Sequence, residues 1–207
     1  VLHNAGWYET EKGCGANNVP HTIHFHGMYL IQAMDGVPDL PTAPVFPEKT
    51  FRYILTMPKD LEGTYIGHCH VDSTNHIMAG MYFPIVVEKE PHSIYGHYFD
   101  REYTLFFSEM DSNYMETLRT KGTLNRCLDW KSNYFMLNGR IYTSKLDNPL
   151  STINDPKTRL VAYEGETVLV RLCAIGYDHT FVWHPHGYHG LVIGTDGRKL
   201  PYPYEKD

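Results

Sequence analysis

Gly67-His68-Cys69-His70-Val71 alternates two histidines around one cysteine. Side chains on a β-strand point to opposite faces in turn, so His68 and His70 face one way and Cys69 the other. Upstream, His21-Thr22-Ile23-His24-Phe25-His26-Gly27 carries the same parity: His24 and His26 share a face, and His21 has the opposite one. The two strands together predict two sites on opposite sides of one layer. One gathers His24, His26, His68 and His70; the other gathers His21 and Cys69. The chain holds 13 histidines, clustered rather than scattered, and histidine is the commonest metal ligand.

The second site needs another histidine and a weak axial donor. His76 and Met81 follow Cys69 in His76-Ile77-Met78-Ala79-Gly80-Met81, and a short loop can carry all three to one end of a β-barrel. Two imidazoles, a thiolate and a distant thioether form the blue-copper donor set. Soft sulfur donors favour copper there, whereas the four-histidine group suits copper or zinc equally. The Cys69 backbone joins both flanking histidines directly and so links one site to the other.

Composition agrees with a strand-rich chain. Its 207 residues include 16 Tyr, 17 Gly and 13 Pro, with 14% aromatic content; that suits many short strands joined by turns. The length allows one large domain or two small ones. A net charge of −6 without a Lys/Arg run argues against a nucleic-acid partner. No stretch approaches the roughly 18 apolar residues of a membrane span. The sequence opens at Val1 without an initiator Met or a signal segment, as a processed or cropped polypeptide would. Four cysteines are too few for a disulfide scaffold. Cys69 reads as a ligand and Cys173 as a buried thiol, while Cys14 and Cys127 could pair, which spacing alone does not establish.

Strands are expected over 50–57, 64–71, 81–87, 102–108 and 160–175, with one short helix over 114–121. Phe181-Val182-Trp183-His184-Pro185-His186-Gly187, followed by Leu191-Val192-Ile193 and Asp196-Gly197, repeats the order seen around His24, His26 and Asp35-Gly36. Two copies of one domain type are therefore expected, 1–90 and 91–207, with Glu90-Pro91-His92 as the linker.

With Met34-Asp35-Gly36-Val37-Pro38, Gly63-Thr64-Tyr65-Ile66-Gly67-His68-Cys69-His70, Tyr134-Phe135-Met136-Leu137-Asn138-Gly139 and the His184-Pro185-His186-Gly187 run, the sequence resembles the multicopper oxidases over nearly its whole length. That family includes laccases, ferroxidases, ceruloplasmin-like proteins and small two-domain oxidases. The resemblance implies an all-β fold of two cupredoxin-like Greek-key barrel or sandwich domains, both incomplete. It implies type 1 copper on His21, Cys69, His76 and Met81, taking electrons from the substrate. It places His24, His26, His68, His70, His184 and His186 in a type 2/type 3 trinuclear cluster that reduces dioxygen to water. Catalytic roles fall to Cys69 and, by resemblance, to Asp35 and Asp72, whose counterparts lie near the cluster and assist proton delivery. Dioxygen reduction consumes protons, so carboxylates nearby have a physical purpose; as plain turn and surface residues they would need none. The implied partners are dioxygen and a reducing substrate: a phenol, a metal ion such as Fe²⁺ or Cu⁺, or a small redox protein. A homotrimer and an extracytoplasmic location, periplasmic or secreted, go with the resemblance.

Three features depart from the family pattern. The spacing from Cys69 to His76 is two residues longer than in most oxidases and approaches that of copper nitrite reductases. His179 precedes His184 by five residues, where the family places a histidine three before. The family's cluster draws on four His-x-His pairs, and this sequence holds three, so the fourth is expected beyond Asp207, in a longer chain. A copper nitrite reductase-like enzyme is the alternative, opposed by His24 and His70, where that family has an aspartate and a small residue. A non-catalytic blue-copper electron-transfer module is the other. His3, His92, His97 and His189 read as structural or solvated, and Trp7 and Trp130 as core.

Overall fold

Short β-branched and aromatic runs, punctuated by Gly and Pro, give short strands. The computed structural model describes residues 1–6, 19–39, 41–121, 130–141 and 155–207. Trp7, Cys14 and Cys127 lie outside the described residues, and so does the expected pairing of the two cysteines. In chain order the elements are β1 Leu2–His3, β2 His24–His26, β3 Thr50–Phe51, β4 Gly63–His68, α1 Ser73–Met78, β5 Tyr82–Val87, β6 Ser93–Ile94, β7 His97–Tyr98, β8 Arg101–Met110, α2 Ser112–Lys121, β9 Tyr134–Leu137, β10 Arg140–Ile141, β11 Val168–Ile175, β12 Gly190–Thr195 and β13 Arg198–Lys206. The described residues are mostly β, as the composition predicts.

The chain packs as two compact units that interleave along the sequence. The first takes Val1–Thr56, Gly67–Phe83 and Glu109–Tyr134; the second takes Met57–Ile66, Pro84–Ser108 and Phe135–Asp207. Within the first, β1 pairs antiparallel with β3, and His21 forms an isolated bridge with Val45. Its buried apolar residues include Phe25, Met28, Val45, Cys69, Ile77, Met78 and Tyr114. Asp111 caps α2, its Oδ1 accepting from the backbone N–H of Asn113 and Tyr114 at 2.9 Å each. Trp130 packs edge-on against Tyr114, 5.1 Å between centroids, which is a core role.

The second unit contains a four-stranded sheet in the order β10-β9-β8-β11 and the β12–β13 pair. β8 and β11 run parallel, from Arg101 opposite Val168 to Ser108 opposite Ile175. Asn138-Gly139 and Asp196-Gly197 each place two successive residues at positive φ (51° and 72°; 51° and 70°). Two such residues make the type I′ turn whose twist matches an antiparallel hairpin. Leu61, Tyr65, Ile94, Phe99, Leu105, Phe106 and Cys173 are buried here. Burial pushes the free Cys173 thiol up to about 11, the state of an inert core cysteine.

Several strand expectations are shortened, and β4 stops at His68 rather than at Val71. Only Thr50–Phe51 of 50–57 joins a ladder; past it, the Ile54 N–H is directed at the Met34 sulfur, 3.4 Å away. Residues 160–167 form no strand, because the chain turns where the Glu166 N–H bonds the Tyr163 carbonyl across Gly165 (φ 88°). The 181–187 segment is not a strand either. Proline at 185 removes a ladder donor there, so the second half does not repeat β2.

Arg171, on β11, is the principal buried charge of the second unit. Its side chain is 2% exposed and bridges Glu88 and Glu102, with Nη1 donating to Thr64 Oγ1 at 3.0 Å. Removing one member of a buried ion pair costs roughly 3–5 kcal/mol. Glu88 and Glu102 are partly exposed (28% and 46%) and can recover water. Arg171→Met should therefore destabilise by a smaller amount, about 2 kcal/mol. A denaturant midpoint unchanged from wild type would count against that role.

Candidate metal centre

The first unit brings the predicted ligands together in two groups. Nitrogen and sulfur atoms of His21, Cys69 and His76 all lie within 4.8 Å of one another, and so do nitrogens of His24, His26 and His68. Cys69 Sγ stands 3.2 Å from His76 Nδ1 and 3.7 Å from His21 Nδ1. The His70 ring joins the second group, 5.2 Å from His24 and 6.0 Å from His68 between centroids. β4 ends at His68, and just past it Cys69 lies in one group while His68 and His70 lie in the other, the division that side-chain alternation predicts.

The sulfur side is shaped by the loop after β4. Asp72 turns the chain with φ 46°, and α1 then carries His76 before ending at Met78, with Ala79 as its cap and Gly80 (φ 98°) turning the chain after it. The Met81 N–H bonds the His76 carbonyl, and the Cys69 N–H bonds the Met81 carbonyl, both at 3.0 Å. Residues 69, 76 and 81 are thereby tied together through their backbones. The extra loop residues are taken up by a turn of helix, signalled by Asp72-Ser73 before it and Gly80 after it.

The histidine side is set by backbone carbonyls. His24 Nδ1 donates to the Asp35 carbonyl at 2.7 Å, and His68 Nδ1 donates to the Cys69 carbonyl at 2.9 Å. A carbonyl only accepts, so Nδ1 holds the proton in both rings and Nε2 keeps its lone pair for a metal. This is the outer-shell arrangement of metal-binding histidines. Nothing in the sequence pattern signals these carbonyls. The carboxylate of Asp35 sits 3.4 Å from the same His24 nitrogen, whereas Asp72 Oδ2 accepts from Asn75 Nδ2 at 2.8 Å.

Burial, and after it the neighbouring His76, pulls His21 down to about 4. Burial likewise lowers His68. Both rings are neutral at neutral pH and available to a metal. Cys69 is 2% exposed, and burial pushes its thiol up; a coordinated cation offsets that cost by stabilising the thiolate.

In the second unit, His184 and His186 place their rings 4.9 Å apart, and both side chains are exposed. His179 lies edge-on against Phe135 at 5.0 Å, with Nδ1 3.6 Å from Asp178.

A mostly β chain with a two-histidine, one-cysteine group backed by a histidine cluster defines a cupredoxin-type metalloprotein. Residues 16–92 match the family described as Multicopper oxidase. The blue copper oxidase from Nitrosomonas europaea is 28% identical, with a TM-score of 0.71, over 91% of this chain and 54% of that one. The iron transport multicopper oxidase FET3 of Candida glabrata is 30% identical over 52% of this chain and 17% of its own length. Ceruloplasmin of Rattus norvegicus is 29% identical over 60% of this chain and 14% of its own. The chain is thus a relative of the multicopper oxidases, and copper is the cofactor that relationship implies. It spans less than a fifth of the length of these two curated relatives.

Proposed function

We propose that this chain forms part of a multicopper oxidase, coupling one-electron oxidation of a reducing substrate to reduction of dioxygen to water. The observation that carries the reading is the split at Cys69: one sulfur-containing donor group on one side, a cluster of histidines on the other, one residue apart. The donors fit the metal, since two imidazoles and a thiolate, completed by a distant thioether, form the blue-copper donor set. His21, Cys69 and His76, with Met81 as a weaker fourth donor, would hold the type 1 copper. His24, His26, His68 and His70 belong to the trinuclear set, and His184 and His186 join it on the strength of their motif. Bound there, copper would supply single-electron exchange at the cysteine side and dioxygen reduction at the histidine side.

The protein's own part is to bind, orient and connect. The carbonyls of Asp35 and Cys69 fix the tautomers of His24 and His68, so the ligand nitrogens are chosen before any metal arrives. Cys69 is continuous with His68 and His70 through the backbone, and its carbonyl accepts from His68, giving a one-residue path for electrons. Asp35 lies beside His24 and is the better placed of the two carboxylates to pass protons toward the cluster; Asp72 remains the second candidate. The domain division at residues 90 and 91, an extracytoplasmic location, a trimeric assembly and a phenolic, metal-ion or protein donor all belong to this proposal.

Copper counting on the reconstituted protein, paired with its electronic spectrum, tests the reading. A blue band with a near-ultraviolet shoulder and dioxygen uptake is the expected result. A blue band alone, with one copper per chain and no dioxygen uptake, would leave an electron-transfer module instead.

Met81→Leu should keep the protein blue and raise the type 1 reduction potential. A thioether donates weakly to Cu(II), so its loss disfavours the oxidised state. A redox titration that shows no change, or a fall, removes Met81 from the ligand set.

A further inference from the structure

Behind the Cys69–His76 loop lies a buried polar line that the copper ligands do not use. Tyr114, in the first turn of α2, donates its hydroxyl to Asn75 Oδ1 at 3.1 Å. Asn75, in α1, donates through Nδ2 to Asp72 Oδ2 at 2.8 Å. The Asp72 carbonyl in turn accepts the N–H of His76 at 3.0 Å. Asn75 and Tyr114 are 5% and 3% exposed. Tyr114 is held from behind by the Asp111 cap and by the edge of Trp130, and Asp111 Oδ2 also accepts the Lys131 N–H at 2.7 Å. Every element of this line belongs to the first unit.

Burying polar groups costs free energy unless they are paired, and hydrogen bonds between buried groups rigidify what they touch; Asp72 Oδ2 is paired in this way, while its Oδ1 is buried without a hydrogen bond. Here the line touches the residue that starts α1, the helix that delivers His76. We propose that Tyr114 and Asn75 are positioning residues for the His21–Cys69–His76 centre: they aim the Asp72 carboxylate and lock α1, and so set the reduction potential of the copper held there. The inference rests on the type 1 reading above. A negative charge close to the metal favours Cu(II) over Cu(I). Donation by Asn75 disperses that charge, and the Tyr114 hydroxyl strengthens the donation by polarising the amide. Asp72 lies on the loop between Cys69 and His76, and its carbonyl holds the His76 N–H at 3.0 Å, so the carboxylate is carried by the segment that joins two of the ligands.

The test is a redox titration of the visible band in copper-loaded wild type, Tyr114→Phe, Asp72→Asn and the double variant. Tyr114→Phe should keep the band and lower the potential, because the carboxylate regains charge density. Asp72→Asn should raise the potential. In the Asp72→Asn background, adding Tyr114→Phe should shift nothing, since the group it acts through is gone. An unchanged potential in Tyr114→Phe, or the same shift in both backgrounds, overturns the inference and leaves a packing role, visible only as a lower melting temperature. Should Tyr114→Phe not retain its fold, Asn75→Ser cuts the same line and carries the same expectation. If copper-loaded wild type shows no blue band, the type 1 reading fails and this inference with it; a blue band without the shift sinks this inference alone.

Discussion

Cys69→Ser abolishes the blue absorption and substrate oxidation together while the fold survives. The sulfur is the shared neighbour of His21 and His76, and the same residue is the covalent link between His68 and His70 of the other group. A serine hydroxyl is far too weak an acid to bind as its anion at neutral pH, so the thiolate-to-copper transition is lost. The substitution also trades a soft donor for a hard one, which weakens copper binding. Packing changes little. Cys69 is buried, but the hydroxyl keeps His21 and His76 as partners, so the folding cost should stay at about 1 kcal/mol. Visible spectroscopy, a turnover assay and far-ultraviolet circular dichroism read the three effects separately. Persistence of the blue band would remove Cys69 from the metal site.

Gly36→Ala should disable the histidine group from outside it. Gly36 adopts φ 76°, and a Cβ there would lie 1.8 Å from the Ile23 carbonyl oxygen and 2.9 Å from the His24 nitrogen. Both are backbone atoms, so no side chain can swing aside. Either the segment at 35–36 or β2 must move, and both hold His24 in place, the former through the Asp35 carbonyl. Positive-φ strain and the clash together should cost on the order of 3 kcal/mol. Chemical denaturation measures the loss; copper uptake by the histidine group should fall, while the cysteine group, anchored at 69–81, loses less. Wild-type stability in Gly36→Ala would show that the 35–36 turn does not pack against β2 as described.

Parity made the metal groups legible. With a side-chain period of two, one histidine–cysteine–histidine run at a strand end and one upstream histidine run are enough to sort six residues between two faces before any strand is paired. The same local logic found α2, and the two I′ turns fall at Asn-Gly and Asp-Gly, which adopt those backbone angles on their own account. It failed where partners decide. The 50–57 and 160–167 runs have strand composition, yet a ladder needs a neighbouring strand in register, and composition does not supply one. The 181–187 run looks like a second β2, and its proline and exposed histidines leave it without strand structure.

Residue types, order and parity alone determined which side chains could meet and which metal suits them, because these depend on chemistry and on local backbone geometry. Only the tertiary structure decided the rest. It chose which nitrogen of His24 and His68 stays free, since that depends on where the Asp35 and Cys69 carbonyls point. It brought Tyr114 to Asn75 and Arg171 to Glu88 and Glu102. Each of these contacts joins groups remote along the chain or depends on which way a backbone carbonyl points, and neither is written in the residue types.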